Sequence, residues 1–315
     1  MISLKDKQIL VTGGAGFVGS NLVRRLVKDG CRVVVLEKPA ADLWRLKDII
    51  HQLEIVYFDL GFGQGQELIK KIPKAEIIYH LASAGVNQSE TNCELIMRSN
   101  LLGSSQMLEL ARALKVERFI YSGSCFEYGE GVSLSEKSFP APISEYDVSK
   151  LAGWFLANSF FHRYALPVVS LRLFNLYGPY EGAHRLVPYA VNNALKSKDI
   201  KLTLGEQKRD FVFIDDLVEG FIAAGNTENI IGSTFNLASG KLTSVKDVVN
   251  MIIELTNSES KPIFGALEYR KSEIMILSGD PSKAEKELGW SVKNSLKDGL
   301  KKTIEWFKEN KDNPK

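Results

Sequence analysis

The sequence is poor in cysteine and contains no long apolar run. Its three cysteines, Cys31, Cys93 and Cys125, are odd in number and lack the spacing of metal ligands. They predict reduced thiols and no metal site, as is usual in the cytoplasm. No stretch approaches the ~20 apolar residues that cross a bilayer. The start, MISLKDKQIL, lacks the apolar core of a secretory signal, so we expect a cytoplasmic protein that does not enter a membrane.

The chain also lacks an excess of charge. Its 315 residues contain 40 Lys and Arg against 38 Asp and Glu, a formal net charge of +2. This balance argues against nucleic acid or an anionic membrane surface as a partner, because both attract a strongly basic surface. Repeats and low-complexity segments are missing as well. The length suits one large or two modest domains with a well-buried core.

Short apolar runs alternate with helical patterns through the first half of the chain. The runs are KQILVTG, CRVVVLE, EIVYFDL, AEIIYHLAS, RFIYSGS and PVVSLRLFN, and helical stretches lie at 100–115 and 145–164. Strands that alternate with helices in this way predict an α/β fold with a parallel sheet covered on both faces. After about Gly178 the pattern becomes irregular, which predicts a smaller, loop-rich second region.

Four glycines stand between the first apolar run and the first helical run. Gly13, Gly14, Gly16 and Gly19 permit a tight turn and a close approach of the backbone to a pyrophosphate. The helix that follows offers free N–H groups and a positive dipole end to phosphates. The glycines fit either GxGxxG or GxxGxxG, and their spacing alone does not decide. In this strand–turn–helix context they predict a Rossmann-type, doubly wound sheet that binds a dinucleotide.

Acidic residues end the second and third runs. Glu37, eighteen residues beyond Gly19, can accept hydrogen bonds from the adenosine ribose diol and would repel a 2′-phosphate. We therefore expect NAD as the cofactor, with NADP left open because Lys38 and Arg45 stand close by. Asp59 stands where an acid often meets the adenine amino group, although a turn residue at a strand end would look the same.

The segment EYDVSK contains Tyr146 and Lys150, which share one face of a helix because they are four residues apart. A free tyrosine has a pKa of ~10, too high for a base at neutral pH. A nearby ammonium favours the phenolate and lowers that pKa. The pair therefore predicts a tuned acid and base, and its combination with the glycine turn and with RFIYSGSCFEYG makes the prediction specific.

With these motifs the sequence resembles the extended short-chain dehydrogenase/reductase family, in its sugar-nucleotide epimerase/dehydratase branch. The resemblance spans nearly the whole chain. It includes TGGAGFVG (12–19), YFDL (57–60), YHLAS (79–83), SGSCFEYG (122–129), YDVSK (146–150), LRLFNLYGP (171–179), KRDFVFIDDL (208–217) and LGW (288–290). It implies a cofactor-binding domain at 1–175 and a mainly substrate-binding domain at 176–315, with about 208–240 returning to the first.

The resemblance also implies residue roles. Tyr146 would exchange a proton with a sugar oxygen, Ser124 would hydrogen-bond the same oxygen, and Lys150 would bind the nicotinamide ribose. The implied cofactor contacts are Gly13, Gly16, Phe17, Val18, Gly19, Glu37, Asp59, Leu60, Leu81, Ala82, Ser83, Tyr146, Lys150 and Phe174. The implied substrate contacts are Ser124, Asn175, Leu186, Val187, Arg209, Arg270 and Glu273. Asn100 reads more readily as a helix cap or kink, and Cys125 as a packing residue.

The reaction is expected at carbon 4 of a nucleoside-diphosphate hexose. A 4,6-dehydratase needs an acid directly after the catalytic Ser or Thr, but Cys125 and Phe126 stand there, and Glu127 is offset by one residue onto the opposite strand face. The stretches SGSCFEYG, PYEGAHRLVP and FGALEYRKSEIM resemble reductases of 4-keto-6-deoxyhexoses. We therefore expect 4-keto reduction, with a 4-epimerase that retains NAD as the alternative and a non-catalytic nucleotide-binding protein as a further one.

The helix predicted at 145–164 bears on the quaternary structure of the protein. It carries Trp154, Phe155, Phe160, Phe161 and Tyr164, more aromatic surface than packing on its own sheet should need. The resemblance implies pairing through this helix. We expect a homodimer.

Overall fold

A computed structural model describes residues 3–86 and 92–310. Its larger sheet has the strand order β11-β7-β5-β4-β1-β2-β3, and every pairing in it is parallel. The strands are β1 (Gln8–Thr12), β2 (Arg32–Glu37), β3 (Leu53–Tyr57), β4 (Ile77–His80), β5 (Arg118–Ser124), β7 (Val168–Leu173) and β11 (Thr234–Leu237). This arrangement is the Rossmann-type sheet that the alternating runs predict.

Side-chain alternation places the two cores on opposite faces of this sheet. In β2, Val33 and Val35 join one buried cluster, whereas Val34 and Leu36 join the other. Helices cover each cluster because both faces are apolar. Helices α1 (Phe17–Lys28) and α7 (Ile214–Asn226) cover the first face, and α2 (Gly65–Lys71), α4 (Gly103–Leu114) and α5 (Glu145–Tyr164) cover the second. The carboxyl ends of the parallel strands thus lie at one edge of the sheet, between two helical layers. Side chains from several strands meet there.

Local signals in the sequence set the bounds of the catalytic-side helices. A capping box between Ser144 and Asp147 begins α5 at the predicted residue. The predicted helix at 100–115 differs in its first turn. A short helix, α3 (Cys93–Met97), runs into a π-helical turn at Arg98–Leu102 before α4 begins. Such turns concentrate at functional sites.

A second, smaller sheet combines strands from the region that the sequence left irregular with two strands from before Gly178. It has the order β12-β10-β14-β6, with β8 also paired to β10, and it contains β6 (Gly131–Leu134), β8 (Asn175–Tyr177), β10 (Lys208–Phe213), β12 (Leu242–Ser244) and β14 (Ile276–Gly279). Two short strands, β9 (Ile200–Lys201) and β13 (Pro262–Ile263), pair beside it. Helices α6 (Leu186–Ala194), α8 (Val245–Thr256) and α9 (Leu296–Glu309) pack together. Across the described residues, no helix has the length and apolarity required to span a bilayer.

Candidate functional site

The glycine-rich turn follows β1 and lies against the backbone that follows β4. Gly13 has φ +70°, and a Cβ there would lie 2.8 Å from the Ala82 backbone nitrogen. A Cβ at Gly19 would collide with the Gly13 carbonyl oxygen. Gly14, by contrast, faces the side chain of Val35. The backbone contacts therefore follow the GxxGxxG spacing, which was one of the two patterns that the glycines left open.

The N-terminus of α1 is open toward the same edge of the sheet. Its N-cap is Gly16, and no side chain caps the N–H groups of the first turn, which begins at Phe17 and Val18. A cradle of backbone that admits no Cβ, placed before an uncapped helix, fits a pyrophosphate. Leu81, Ala82 and Ser83 follow β4 beside this turn and are all half-buried.

Glu37 lies at the end of β2 and contacts the turn directly. Its Oε1 accepts a hydrogen bond of 2.7 Å from the Ala15 N–H. Burial raises the pKa of this carboxyl, and the N–H groups of Ala15 and Lys38 oppose that rise. The position suits the ribose contact expected of it. Asp59 instead caps a tight turn, since its Oδ1 accepts a hydrogen bond of 2.9 Å from the Gly61 N–H, and Leu60 beside it is buried.

A strap of backbone at 179–181 lies beside the glycine-rich turn, and the sequence did not predict it. Arg45 joins the two, since its Nε donates to the Tyr180 carbonyl at 2.8 Å and its Nη1 to the Ala15 carbonyl at 3.3 Å. Asn21 on α1 also donates to the Pro179 carbonyl, at 3.2 Å. The only sequence signal is the Gly178–Pro179 pair that ends β8. We call residues 179–181 with Arg45 the cofactor strap.

The predicted catalytic residues meet at the ends of β5 and α5. Ser124 is the last residue of β5, and Tyr146 and Lys150 stand one turn apart at the start of α5. Ser124 is 6% exposed and Lys150 is 4% exposed. Tyr121, also on β5, supports the helix by donating a hydrogen bond of 2.9 Å to the Lys150 carbonyl. Its ring lies 4.9 Å from the Lys150 Nζ.

Burial and nearby hydroxyls set the electrostatics of these groups. Burial raises the pKa of the Tyr146 phenol, while the hydroxyls of Ser124 and Ser83 lower it. Burial lowers the pKa of Lys150 to about 8, and the carboxylate of Glu127 opposes that fall. Tyr146 and Lys150 stand one turn apart on α5, and such a pair is suited to proton exchange with a bound hydroxyl or carbonyl group.

Asn100 positions this centre from the π-helical turn at Arg98–Leu102. Its Oδ1 accepts a hydrogen bond of 2.7 Å from the Ala84 N–H. Its Nδ2 donates to the Ala84 carbonyl at 2.9 Å and to the Ser149 hydroxyl at 2.8 Å. Asn100 therefore ties the segment after β4 to the catalytic helix, a role that the cap-or-kink interpretation missed. The sequence signal was only an asparagine inside a helical pattern.

Apart from Ser124 at the end of β5, the predicted substrate residues lie on β8, β10 and α6 and in the loop before β14. Arg209 and Glu273 form an ion pair, with 2.7 Å between Arg209 Nη2 and Glu273 Oε1. The Asn175 Oδ1 is buried and has no hydrogen-bond partner among the described residues, which suits a ligand contact. Phe174 is buried against Gly279. Leu186 and Val187 form the first turn of α6, whereas Arg270 is exposed and outside the Arg209–Glu273 contact.

Comparison with known proteins agrees with this geometry. The family model described as the NAD dependent epimerase/dehydratase family matches residues 9–238. The chain belongs to this family. A UDP-glucuronate 4-epimerase of Thermodesulfobacterium geofontis is 29% identical over 96% of both chains. A dTDP-D-glucose 4,6-dehydratase of Bos taurus is 30% identical over 96% of this chain and 89% of its own.

Solved structures of this family are also similar. A UDP-glucose 4-epimerase of Thermotoga maritima with UDP-glucose has a TM-score of 0.88 at 27% identity and covers 96% of this chain and 99% of its own. A UDP-glucuronic acid 4-epimerase of Bacillus cereus in complex with UDP-glucuronic acid and NAD has a TM-score of 0.86 at 29% identity, with the same coverage. The family is NAD-dependent, which agrees with the cofactor expected from Glu37. The groups that fit NAD are the glycine-rich turn, the N-terminus of α1 and Glu37.

Proposed function

We propose that this protein is a 4-epimerase of nucleoside-diphosphate hexoses that retains its NAD. The observation that carries the proposal is the cofactor strap, because Arg45 and Asn21 hold residues 179–181 beside the glycine-rich turn, where the dinucleotide would bind. A strapped cofactor suits a reaction that oxidises and reduces the same substrate. Similarity to UDP-sugar 4-epimerases supports this reading over the 4-keto reduction expected from the sequence.

The proposed chemistry uses Tyr146 twice. Tyr146 as phenolate would take the proton of the C4 hydroxyl, while NAD held at the glycine-rich turn would supply reversible hydride transfer at either face of C4. Ser124 hydrogen-bonds the C4 oxygen in both half-reactions, and Tyr146 gives its proton back to that oxygen at the end. Lys150 keeps the phenolate accessible and contacts the nicotinamide ribose. No external oxidant or reductant is consumed, so the net reaction is inversion at C4.

Reduction of a 4-keto-6-deoxyhexose is the second candidate. It would use the same three side chains, and the three sequence stretches noted above favour it. Dehydration is disfavoured, because the thiol of Cys125 is buried and its pKa is raised by that burial, and Phe126 cannot exchange a proton. Glu127 is fully buried and already engaged in hydrogen bonds.

The test is the cofactor content of the protein purified without added nucleotide. Near-stoichiometric NAD(H) released on denaturation is the expected result and supports epimerisation. Release of little or no NAD(H), with turnover of 4-keto sugars by added NADH or NADPH, would replace it with the reductase. Tyr146→Phe should retain bound NAD but lose turnover in either case. If the wild type binds NAD but turns over no sugar nucleotide, the non-catalytic reading replaces both.

We also propose that two parts of the chain bind different ligands. Residues 1–175 would bind the cofactor, and 176–315 would mainly shape the substrate side. The segment 208–240 is the proposed exception. Its strand β11 pairs with β7 and its helix α7 packs against α1, which supports a return to the cofactor domain, whereas its strand β10 belongs to the second sheet.

We propose a homodimer that pairs through α5. The surface available for pairing includes fewer of its aromatic side chains than the sequence suggested. Trp154 donates a hydrogen bond of 2.8 Å to Thr234, and Phe160 is buried, so neither is free for a partner. Val148 and Phe155 are 42% and 55% exposed and lie seven residues apart on one helix face. They form the apolar stripe that a second copy would cover. The mass of a single chain in sedimentation would contradict the dimer.

A further inference from the structure

Glu127 lies directly behind the catalytic serine and is completely buried. Its Oε1 accepts a hydrogen bond of 2.8 Å from the Ser124 N–H, and its Oε2 lies 2.7 Å from the Arg172 Nε. Gly123 leaves room for this carboxylate, since a Cβ there would lie 2.6 Å from Oε1. Both carboxylate oxygens of Glu127 are therefore engaged in contacts with protein groups. Glu127 is not placed to exchange a proton with substrate.

Arg172, on β7, fixes the other side of this carboxylate. It is 2% exposed, and its Nη1 donates to the Tyr128 hydroxyl at 2.8 Å. That hydroxyl donates in turn to the Asn236 Oδ1 at 2.8 Å. The guanidinium also lies 4.4 Å from the Tyr128 ring centroid and 4.9 Å from that of Trp154. The network holds Glu127 in one place. Burial raises the pKa of its carboxyl, and the Arg172 guanidinium and the Ser124 N–H oppose that rise and favour the charged form.

Helix α5, which carries Lys150, packs against the turn Cys125–Tyr128 that carries Glu127. Tyr121 on β5 and His80 on β4 face Lys150 from the sheet, and Tyr146 stands on the same helix. Burial raises the pKa of the Tyr121 phenol and lowers the pKa of His80 to about 3, so neither group carries a charge at neutral pH. Tyr146 is the proposed reacting group itself, and burial raises the pKa of its phenol. Among the described residues, Glu127 is the carboxylate whose charge raises the pKa of Lys150.

We propose that Glu127, held by Arg172, is a positioning residue that fixes the backbone of Ser124 and keeps the Lys150 ammonium charged in its buried site. A carboxylate behind the centre acts without touching the sugar or the cofactor. The proposal rests on the proposed Ser–Tyr–Lys chemistry for its effect on turnover. Its effect on the charge of Lys150 does not depend on the substrate, so the two can be tested apart.

The test is Glu127→Gln, which keeps the side-chain shape and an oxygen for the Ser124 N–H but removes the charge. Titration of the full chain, with lysines labelled at Cε by carbon-13, follows Lys150 by NMR, and its signal is assigned by its loss in Lys150→Met. The midpoint, about pH 8 in the wild type, should move to lower pH in Glu127→Gln. The alkaline limb of kcat should move in the same direction, with a loss of roughly tenfold at pH 8 and little change in KM.

A matched control and a second variant separate charge from folding. Asp216 on α7 is also a buried carboxylate, with hydrogen bonds from Lys293 and Asn294, so Asp216→Asn should leave the Lys150 midpoint unchanged. Glu127→Gln leaves Arg172 buried and unpaired. The double variant Glu127→Gln/Arg172→Met therefore carries the same test in a chain with no unpaired buried charge, and its midpoint should also lie below that of the wild type.

The outcomes distinguish this proposal from the proposed function. An unchanged Lys150 midpoint in both Glu127→Gln and the double variant would overturn the role of Glu127, whatever the turnover. A lowered midpoint in an enzyme that turns over no sugar nucleotide would support Glu127 and overturn the proposed function. A lowered midpoint together with a shifted alkaline limb supports both.

Discussion

Two buried ion pairs of the same length lie at the site, and their surroundings differ. Glu127 and Arg172 are 2.7 Å apart and almost fully enclosed, with side chains 0% and 2% exposed. Arg209 and Glu273 are also 2.7 Å apart, but their side chains are 8% and 16% exposed. The first pair sits inside a closed hydrogen-bond network. The second lies where the substrate is expected.

The difference shows that a buried ion pair can have either of two roles. A closed pair in a low dielectric holds fixed charges and is expensive to break, because the remaining charge has no partner. A partly open pair can exchange its carboxylate for a phosphate, since arginine binds both with similar geometry. We therefore read the Glu127–Arg172 pair as fixed and the Arg209–Glu273 pair as exchangeable.

The largest effect on stability is expected from Arg172→Met. It leaves the Glu127 carboxylate buried without its partner, so the free energy of unfolding should fall by ~3–5 kcal/mol. Urea denaturation followed by circular dichroism measures this change. The double variant Glu127→Gln/Arg172→Met should recover most of the loss. A loss below ~1 kcal/mol in the single variant would mean that the closed pair is as replaceable as the open one.

Lys150→Met should abolish turnover and stabilise the fold by ~1–3 kcal/mol at pH 7. Burial lowers the pKa of Lys150 from 10.5 to about 8, so between these values the unfolded chain binds more protons than the folded one. Wild-type stability from this group therefore rises with pH from about 8 to 10.5. Thermal unfolding at pH 7 and pH 10 should show a gap between variant and wild type that narrows at the higher pH; a constant gap would contradict the buried charge.

Arg209→Met should act on binding more than on folding. Loss of a charged hydrogen bond to the diphosphate should raise KM for the sugar nucleotide by ~10–100-fold. Unfolding free energy should change little, because Glu273 can still be solvated. Lys208→Met is the matched control, since Lys208 is exposed on the same strand. Equal effects of the two substitutions on KM would reduce Arg209 to a general positive charge.

The smallest effect is expected at a surface pair beside the cofactor strap. Arg24 and Asp48 form an ion pair in which Asp48 is 63% exposed. Asp48→Asn should cost less than ~1 kcal/mol in low salt and nothing measurable in high salt. The hydrogen bond from Arg24 lowers the pKa of Asp48, so any stabilisation should be lost as the pH falls through that pKa. Urea denaturation at two salt concentrations checks this, and a loss that persists in high salt would mean that Asp48 is shielded from solvent.

Much of the cofactor side followed from local sequence. The glycine turn, its strand and its helix are contiguous, so the backbone requirements of a pyrophosphate site are visible in a few residues. Tyr146 and Lys150 are likewise joined by helical spacing. The aromatic count on α5 misled, because three of those rings lie against the parent chain: Trp154, Phe160 and Phe161.

The sequence by itself determined the strand–helix alternation, the glycine-rich turn and the placing of Tyr146 and Lys150 on one helix, because periodicity and chain-local spacing encode them. Only the tertiary structure decided which carboxylate meets which arginine. Glu127 and Arg172 are 45 residues apart, and Arg209 and Glu273 are 64 apart. The strap likewise joins Arg45 to Tyr180. Such contacts depend on strand order, and no local pattern of polar residues specifies which buried charges become neighbours.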